Sequence, residues 1–299
     1  MIKQNIIKTI LKIKWYGRVV LTKIGIKRKY KMSDSYIMLS FTHKLPDYQK
    51  SYHFYDRFLP HFVQYLTSGS TVVDVGANVG DTLAGMVGKK NDLEYICIEA
   101  APEYYKALID NLSYLKLQFP NLKVHTVNKL VGKEIDNVKL EVFKNYEGSM
   151  RATPGGNIRS HTLDRILSDN GINTNNISLI KTDVDGYDYD VIKSAQDTIS
   201  KNPPLYFECF YTNEEQLNGY KNLFFDLKSK GYKKFSLFDN FGHYICTVQN
   251  IEEINDLLNY IYRQNFYDQT TTISYYDVLA FSDKSNKLIK KVIEDYVAS

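Results

Sequence analysis

The sequence lacks the features that mark several common protein classes. It has only three cysteines in 299 residues, without a C-x-x-C pair or a Cys/His cluster, so neither a disulfide framework nor a zinc site is indicated. Each cysteine lies in an apolar run, which predicts buried thiols in the reducing cytoplasm: Cys97, Cys209 and Cys246. Because no run of about 18 apolar residues occurs, no membrane-spanning helix is predicted. Lysines interrupt the apolar N-terminal residues, which argues against a secretory signal.

Acidic residues are absent from the first 31 positions, which hold ten Lys and Arg residues. The whole chain has 38 basic and 34 acidic side chains, so the remainder has 28 against 34 and a formal charge of −6. A mildly acidic body does not favour nucleic acid as a partner.

Apolar residues of the N-terminal segment recur at helical spacing. At 100° per residue one narrow arc contains six of them, with Lys8, Lys12 and Lys23 roughly opposite: Ile2, Ile6, Ile10, Ile13, Val20 and Ile24. This pattern predicts a basic amphipathic helix, with breaks at Gly17 or Gly25. Two interpretations stay open: residues 1–31 adhere to an anionic membrane surface from the cytoplasmic side, or the apolar stripe packs on the rest of the protein.

Strand and helix signals alternate after residue 70. Strands are predicted at residues 71–75, 95–98, 124–127, 179–182 and 205–210, and helices at 101–114, 187–199 and 214–230. This order predicts an α/β protein with a doubly wound, mostly parallel sheet. Residues 234–237 and 243–248 flank D-N-F-G and predict a hairpin, so the sheet should end in antiparallel strands.

The segment before this α/β pattern is less regular. Residues 32–50 are interpreted as irregular connection, and a helical pattern then carries Phe54, Phe58, Phe62 and Tyr65. We therefore divide the chain into the basic helix with its connection at residues 1–48 and an α/β domain at residues 49–299.

The segment T-V-V-D-V-G-A-N-V-G-D-T at residues 71–82 predicts a buried strand, a glycine turn and a helix start. Gly76 and Gly80 would let backbone amides approach a ligand. The order Gly76, Asn78, Gly80 departs from the G-x-G-x-x-G of nicotinamide sites. Asp74 at the strand end and Asp81 at the helix start would repel a pyrophosphate and attract ammonium and sulfonium groups. S-adenosylmethionine carries both of these cations.

Glu99 ends the second predicted strand, 25 residues after Asp74. An acid at this position can accept hydrogen bonds from both ribose hydroxyls of a nucleotide. It can also act as a helix N-terminal acid before Pro102, and the two roles are compatible.

With these segments the chain resembles the FkbM family of class I S-adenosylmethionine-dependent methyltransferases, over residues 70–282. The resemblance rests on five segments: V-V-D-V-G-A-N-V-G-D-T, E-A-A-P, S-H-T-L-D-R-I-L, L-I-K-T-D-V-D-G-Y-D-Y-D-V-I-K-S-A and L-Y-F-E-C. Two positions depart from the family pattern, since Ala100 stands where Pro is commoner and Asp185 stands where Glu is commoner. The resemblance implies a Rossmann-like sheet and O-methylation, most often of sugars in cell-surface polysaccharides or of natural products.

Carboxylates stand at the ends of the fourth and fifth predicted strands, where ligands of such sheets bind. Asp183 and Asp185 are candidates for a general base with its orienting partner, or for ligands of Mg²⁺. The alternative for Asp185 is a helix cap, a role that Asp188 could also fill. Glu208 is a candidate substrate-binding acid, with a buried, paired carboxylate as its alternative.

His161 is the third catalytic candidate, as a general base or substrate donor, although a lone histidine is more often structural. Lys181 lies within the fourth strand's apolar run and is expected to pair with a nearby acid. The polar, glycine-rich residues 144–157 are the candidate acceptor loop.

Three functions follow as expectations. The first is an O-methyltransferase acting on a sugar or surface-polysaccharide intermediate, and the second is an O-methyltransferase of a small natural product. The third is a membrane-associated subunit that binds S-adenosylmethionine without turnover. An intact pair of acids after the fourth strand argues against the third, because a binding-only protein needs no base.

Overall fold

The computed structural model describes residues 2–142, 150–268 and 271–299, and most of these belong to helices or strands. The strands are β1 (Lys27–Met32), β2 (Ser35–Ser40), β3 (Thr71–Val75), β4 (Glu94–Ile98), β5 (Lys123–Val127), β6 (Leu130–Val131), β7 (Val138–Val142), β8 (Met150–Pro154), β9 (Ser160–His161), β10 (Ile177–Thr182), β11 (Leu205–Cys209), β12 (Lys234–Asp239), β13 (Tyr244–Val248) and β14 (Tyr276–Phe281). The helices are α1 (Ile2–Lys23), α2 (Leu45–Ser51), α3 (Phe58–Val63), α4 (Asp81–Val87), α5 (Pro102–Gln118), α6 (Leu163–Asp169), α7 (Asp188–Lys193), α8 (Gln196–Ile199), α9 (Glu214–Ser229), α10 (Ile251–Arg263) and α11 (Asn286–Val297).

One large sheet has the strand order β13-β12-β14-β11-β10-β3-β4-β5. Five neighbouring strands of this sheet are parallel to one another: β5, β4, β3, β10 and β11. Strand β14 is antiparallel to both of its neighbours, β11 and β12. Strands β12 and β13 form the hairpin predicted around D-N-F-G. The doubly wound, mostly parallel sheet with antiparallel C-terminal strands is therefore confirmed.

Helices cover both faces of this sheet, which is why its central strands are apolar throughout. Alternate residues of β3 face opposite sides, so Val73 and Val75 pack under α6, α7, α9 and α10. Val72 faces the other side, under α3, α4, α5 and α11. The predicted helix at 187–199 is interrupted at Ser194 and Ala195, where α7 ends and α8 begins.

Residues 27–40 differ from both expectations for this part of the chain, the basic helical segment up to residue 31 and the irregular connection from residue 32, because β1 and β2 pair as an antiparallel hairpin. Ile37 and Leu39 of β2 are buried with the residues of α4 and α5. The Ser35 hydroxyl donates to the Ala84 carbonyl oxygen, 2.8 Å away, and fixes the hairpin on α4. The hairpin therefore packs into the hydrophobic core on one face of the large sheet. The division of the chain at residue 48 stays a prediction. The helical pattern expected from Phe54 is also shorter, since α3 begins at Phe58.

Helix α1 continues through Gly17 and ends before Gly25, whose φ of +76° lies in the left-handed region. In the described part of the chain, no helix is both long and apolar enough to cross a membrane. All three cysteines are free thiols. Cys97 and Cys209 are buried as predicted, and Cys246 is only half-buried.

Candidate active site

A cavity of about 1200 Å³ lies at the carboxyl ends of β3, β4, β10 and β11. Parallel strands bring their carboxyl ends to one edge, so residues distant in sequence meet there. Its walls include most of the predicted site residues: Gly76, Asn78, Asp81, Glu99, Asp183, Asp185 and Glu208.

The glycine turn is shaped by contacts within the protein. Gly76 has a φ of +78°, and a Cβ atom there would lie 2.0 Å from the carbonyl oxygen of Asp183. Gly80 has a φ of +83°, and its Cβ would lie 2.8 Å from Leu108. We expected both glycines to make room for a ligand, but each makes room for another part of the chain.

Glu99 occupies the predicted position at the tip of β4. Its carboxylate accepts hydrogen bonds from the backbone N–H groups of Asn78 and Ala101, both at 2.8 Å. The Ala101 bond satisfies a donor at the start of α5, so the helix role is confirmed. Burial raises the pKa of Glu99. Each carboxylate oxygen has a second lone pair, so the group can still accept from a ligand in the cavity.

Asp74 does not point into the cavity, which corrects the expectation for this residue. Its side chain is fully buried, with Oδ1 2.9 Å from Nζ of Lys181. The cause is the alternation of β3, combined with a register that places Asp74 beside Lys181 of β10. Asp81 does line the cavity, with Oδ2 3.8 Å from Nε2 of His43.

Lys181 connects the sheet interior to the cavity. Its ammonium donates to the Gly76 carbonyl oxygen at 3.0 Å and lies 3.7 Å from Oδ2 of Asp183. Burial alone would lower the pKa of Lys181, but the carboxylates of Asp74 and Asp183 outweigh burial and raise it. The Asp183 side chain is 53% exposed, so it is open to the cavity on its other side.

Asp185 and Asp188 have different roles. Asp185 lies in the cavity wall with a φ of +52°, a strained conformation for a residue other than glycine. Asp188 is buried and accepts hydrogen bonds from the Thr182 hydroxyl at 2.6 Å and the Val184 N–H at 3.4 Å. Burial, reinforced by the charge of Asp183, raises the pKa of Asp188 to about 7. Asp188 therefore stabilises the turn after β10.

Glu208 belongs to a group of carboxyls that sequence reasoning did not assemble. It lies opposite Asp277 in the β11–β14 pair, and both line the cavity together with Asp56. Burial and neighbouring carboxylates, Asp183 foremost, raise the pKa of Glu208 and of Asp277 well above the usual range. The sequence signal that could have identified Asp277 is its position as the only acidic residue of the apolar strand Y-D-V-L-A-F.

His161 is not brought to the cavity, which corrects its assignment as a candidate base. Among the described residues, Ser160 lines the cavity and His161 does not, because successive strand residues point to opposite sides. Burial and the nearby cations of Lys129, Arg165 and Arg159 lower the pKa of His161.

Magnesium is not supported by this arrangement. Within residues 2–142, 150–268 and 271–299, no group of three or more His, Cys, Asp or Glu side chains is placed to hold a metal ion.

Aromatic rings line another part of the cavity. The rings of Tyr52 and Phe241 stack with their centroids 4.0 Å apart, and Tyr48 and Tyr55 lie in the same wall. Residues 144–149 of the predicted acceptor loop lie outside the described residues. Its continuation forms β8, from which residues 152–154 line the cavity.

A doubly wound sheet with this strand order and an acidic cavity at its carboxyl edge is the fold of a class I methyltransferase. The family model of the methyltransferase FkbM domain matches residues 74–266. Because this match covers more than half of the chain, the protein belongs to the FkbM methyltransferase family. No curated protein matches the chain in sequence.

Solved structures of methyltransferases are similar in fold. The methyltransferase FkbM from Methylobacillus flagellatus KT is 18% identical, with a TM-score of 0.38, over 71% of this chain and 43% of that chain. This chain thus spans less than half of that protein's length. The O-methyltransferase from Bacillus cereus in complex with SAH is 11% identical, with a TM-score of 0.44, over 76% of this chain and 80% of that chain. The precorrin-6y C5,15-methyltransferase from Geobacter metallireducens GS-15 is 10% identical, with a TM-score of 0.41, over 76% of this chain and 87% of that chain.

Proposed function

We propose that this protein transfers a methyl group from S-adenosylmethionine to a hydroxyl of a sugar or of a surface-polysaccharide intermediate. The observation that carries the proposal is that one cavity brings together residues that can hold S-adenosylmethionine and a half-exposed carboxylate. The β3 and β4 tips supply Gly76, Asn78 and Glu99. Half-exposed Asp183 follows the adjacent strand β10, next to Gly76, and Glu208 of β11 lines the same cavity.

The residues at the β3 and β4 tips fit S-adenosylmethionine. Two backbone N–H groups hold the Glu99 carboxylate in the cavity wall with lone pairs to spare, as binding of ribose hydroxyls requires. Asp81 adds negative charge to the same cavity, which suits a cationic ligand. When bound, S-adenosylmethionine would supply an electrophilic methyl group on a sulfonium.

Asp183 is the residue that would accept the proton of the acceptor hydroxyl. A carboxylate within hydrogen-bond reach of a hydroxyl can take its proton as the oxygen attacks. The Lys181 ammonium, 3.7 Å away, holds the Asp183 side chain from behind. Exposure of Asp183 lets the proton leave to solvent after transfer.

Glu208 would donate rather than accept. Burial and the neighbouring carboxylates raise the pKa of Glu208, which favours its protonated form, and the hydroxyl of that form can donate to an acceptor oxygen. The two carboxyls can thus divide the roles in one site, with Asp183 accepting the proton of the acceptor hydroxyl and Glu208 holding the acceptor by a hydrogen bond.

The aromatic wall supports a saccharide acceptor. Ring faces such as the stacked pair of Tyr52 and Phe241 offer apolar area beside polar tips. Sugar rings present C–H faces and several hydroxyls, so they match a cavity that combines aromatic rings with carboxyls. The free thiols are in keeping with the reducing cytoplasm as the site of action.

The test is methyl transfer from labelled S-adenosylmethionine to a panel of saccharides, with small phenols as the natural-product arm. Loss of a general base costs about 10² to 10⁴ in rate, so Asp183→Asn should lose most transfer while keeping donor affinity within severalfold. Asp169→Asn, on the exposed face of α6, is the matched control and should keep normal turnover. Transfer to phenols alone would show that the acceptor is a small natural product and not a saccharide. Near-normal turnover by Asp183→Asn would remove it as the base, and no transfer to either class would contradict the proposal.

A further inference from the structure

Helix α1 carries an apolar stripe that faces solvent. Ile13, Val20 and Ile24 are 65%, 55% and 64% exposed, and Tyr16 is exposed beside them. Spacings of seven and four residues place the three aliphatic side chains on one face of a helix. The alternative prediction, in which this stripe packs on the protein, is therefore wrong for these residues.

The opposite face of α1 attaches the helix to the protein through polar contacts. Arg18 forms an ion pair with Asp47, in which Nη1 lies 2.5 Å from Oδ2. The hydroxyls of Thr22 and Thr42 lie 3.4 Å apart. An amphipathic helix of a soluble protein normally buries its apolar face and exposes its polar one. In α1 the stripe of Ile13, Val20 and Ile24 is exposed instead, while Val19 and Leu21 are half-buried beside Arg18 and Thr22.

Helix α1 is positively charged. It contains five lysines and Arg18, and it has no acidic residue. Lys12 and Lys14 lie about 100° to either side of Ile13 around the helix axis, so Lys12 borders the stripe of the three exposed residues and does not stand opposite it. Lysines beside an apolar stripe can extend their ammonium groups to lipid phosphates while their stems lie on the acyl chains. Two copies of this helix would instead bring like charges together.

We propose that α1 binds the surface of an anionic lipid bilayer, with Ile13, Val20 and Ile24 inserted at the boundary between head groups and acyl chains. Docking would also place the cavity beside the bilayer. Thr42, in contact with α1, lines the cavity, as do Leu45 and Tyr48 of the following segment. One helix diameter, about 10 Å, would separate this wall from the lipid.

Flotation of the full-length protein with vesicles tests the proposal without turnover, so its outcome is independent of the proposed function. The vesicles are phosphatidylcholine with or without phosphatidylglycerol. We expect flotation with the anionic vesicles only, weakened at high salt. The triple variant Ile13→Ser, Val20→Ser, Ile24→Ser should lower the partition coefficient at least about tenfold, because it removes the inserted area. The matched control replaces three residues of similar exposure on α9, α10 and α11 and should float normally: Phe225→Ser, Tyr260→Ser and Val297→Ser.

A fluorescence probe reports insertion directly. Trp15 is the only tryptophan, so Trp15→Phe with Val20→Trp places a single indole on the stripe. Its emission should shift to the blue with anionic vesicles, whereas Trp15→Phe with Tyr260→Trp should not shift. Equal flotation of the stripe variant and its control would overturn the proposal. So would equal flotation on neutral and anionic vesicles, or a dimer abolished by the stripe variant without any vesicle binding.

Discussion

Nζ of Lys181 lies 2.9 Å from Oδ1 of Asp74, and both side chains are almost completely buried in the sheet. This ion pair lies directly behind the cavity, because the same ammonium reaches Asp183 at 3.7 Å. It therefore links the stability of the sheet to the position of the carboxylate that we assign as the base.

Lys181→Met should strongly destabilise the protein. Removing one partner of a buried pair leaves an uncompensated charge and typically costs about 3 to 5 kcal/mol. Chemical denaturation measures the free energy of unfolding. Lys89→Met is the matched control, because Lys89 also lies 2.9 Å from its partner Asp34, but at an exposed site. That pair is solvent-screened, so its loss should change stability little. Equal, small losses of unfolding free energy in both variants would show that the buried pair does not stabilise the protein.

The raised pKa of Asp188 predicts how the free energy of unfolding depends on pH. An aspartate in an unfolded chain ionises near pH 4, at about 3.9, whereas the folded pKa of Asp188 is about 7. Between these values the folded state binds more protons, so the free energy of unfolding falls as the pH rises through about 7. Asp188→Asn keeps an acceptor for Thr182 and cannot ionise.

The fall in stability of Asp188→Asn between about pH 5 and pH 8 should therefore be smaller than in the wild type. It should not vanish, because Glu208 and Asp277 also have raised pKa values. Asp110→Asn, at an exposed ion pair, should keep the wild-type profile. Identical profiles for wild type and Asp188→Asn would show that Asp188 ionises normally in the folded protein.

Gly76→Ala tests the close approach of β3 and β10. A left-handed backbone costs alanine about 1 to 2 kcal/mol, and an overpacked contact adds about 1 to 3 kcal/mol. Gly69 is the matched control, since its φ of +77° equals that of Gly76 within a degree and nothing lies within 4 Å of its Cβ position. The excess loss of unfolding free energy in Gly76→Ala over Gly69→Ala measures the collision with the Asp183 carbonyl. No excess would mean that β10 moves aside freely.

The acids at the carboxyl ends of the parallel strands were predictable, because the strand order depends on local sequence patterns. Apolar strands separated by helices gave the parallel order, and parallel order alone brings Glu99, Asp183 and Glu208 to one cavity. The acids at the strand tips could therefore be identified before their geometry was known.

The remaining features depend on contacts between distant residues. The pairing of Asp74 with Lys181 follows from the register between β3 and β10, which no local pattern specifies. The hairpin of β1 and β2 was missed because K-R-K-Y-K-M is polar, and its partner strand is buried by packing on α4 and α5. Asp56 lies in a turn outside the sheet, and its carboxyl lines the cavity together with those of Glu208 and Asp277.

Calorimetric titration with S-adenosylmethionine tests the central claim most directly. The wild-type protein should bind S-adenosylmethionine and not NAD⁺. Glu99→Ala should weaken binding by roughly 1 to 3 kcal/mol, because ribose hydroxyls lose a charged acceptor. Glu94→Ala, at the opposite end of the same strand, should bind like the wild type. If the wild type binds NAD⁺ instead, or if Glu99→Ala and Glu94→Ala bind S-adenosylmethionine equally well, the cavity at the β3 and β4 tips is not the donor site.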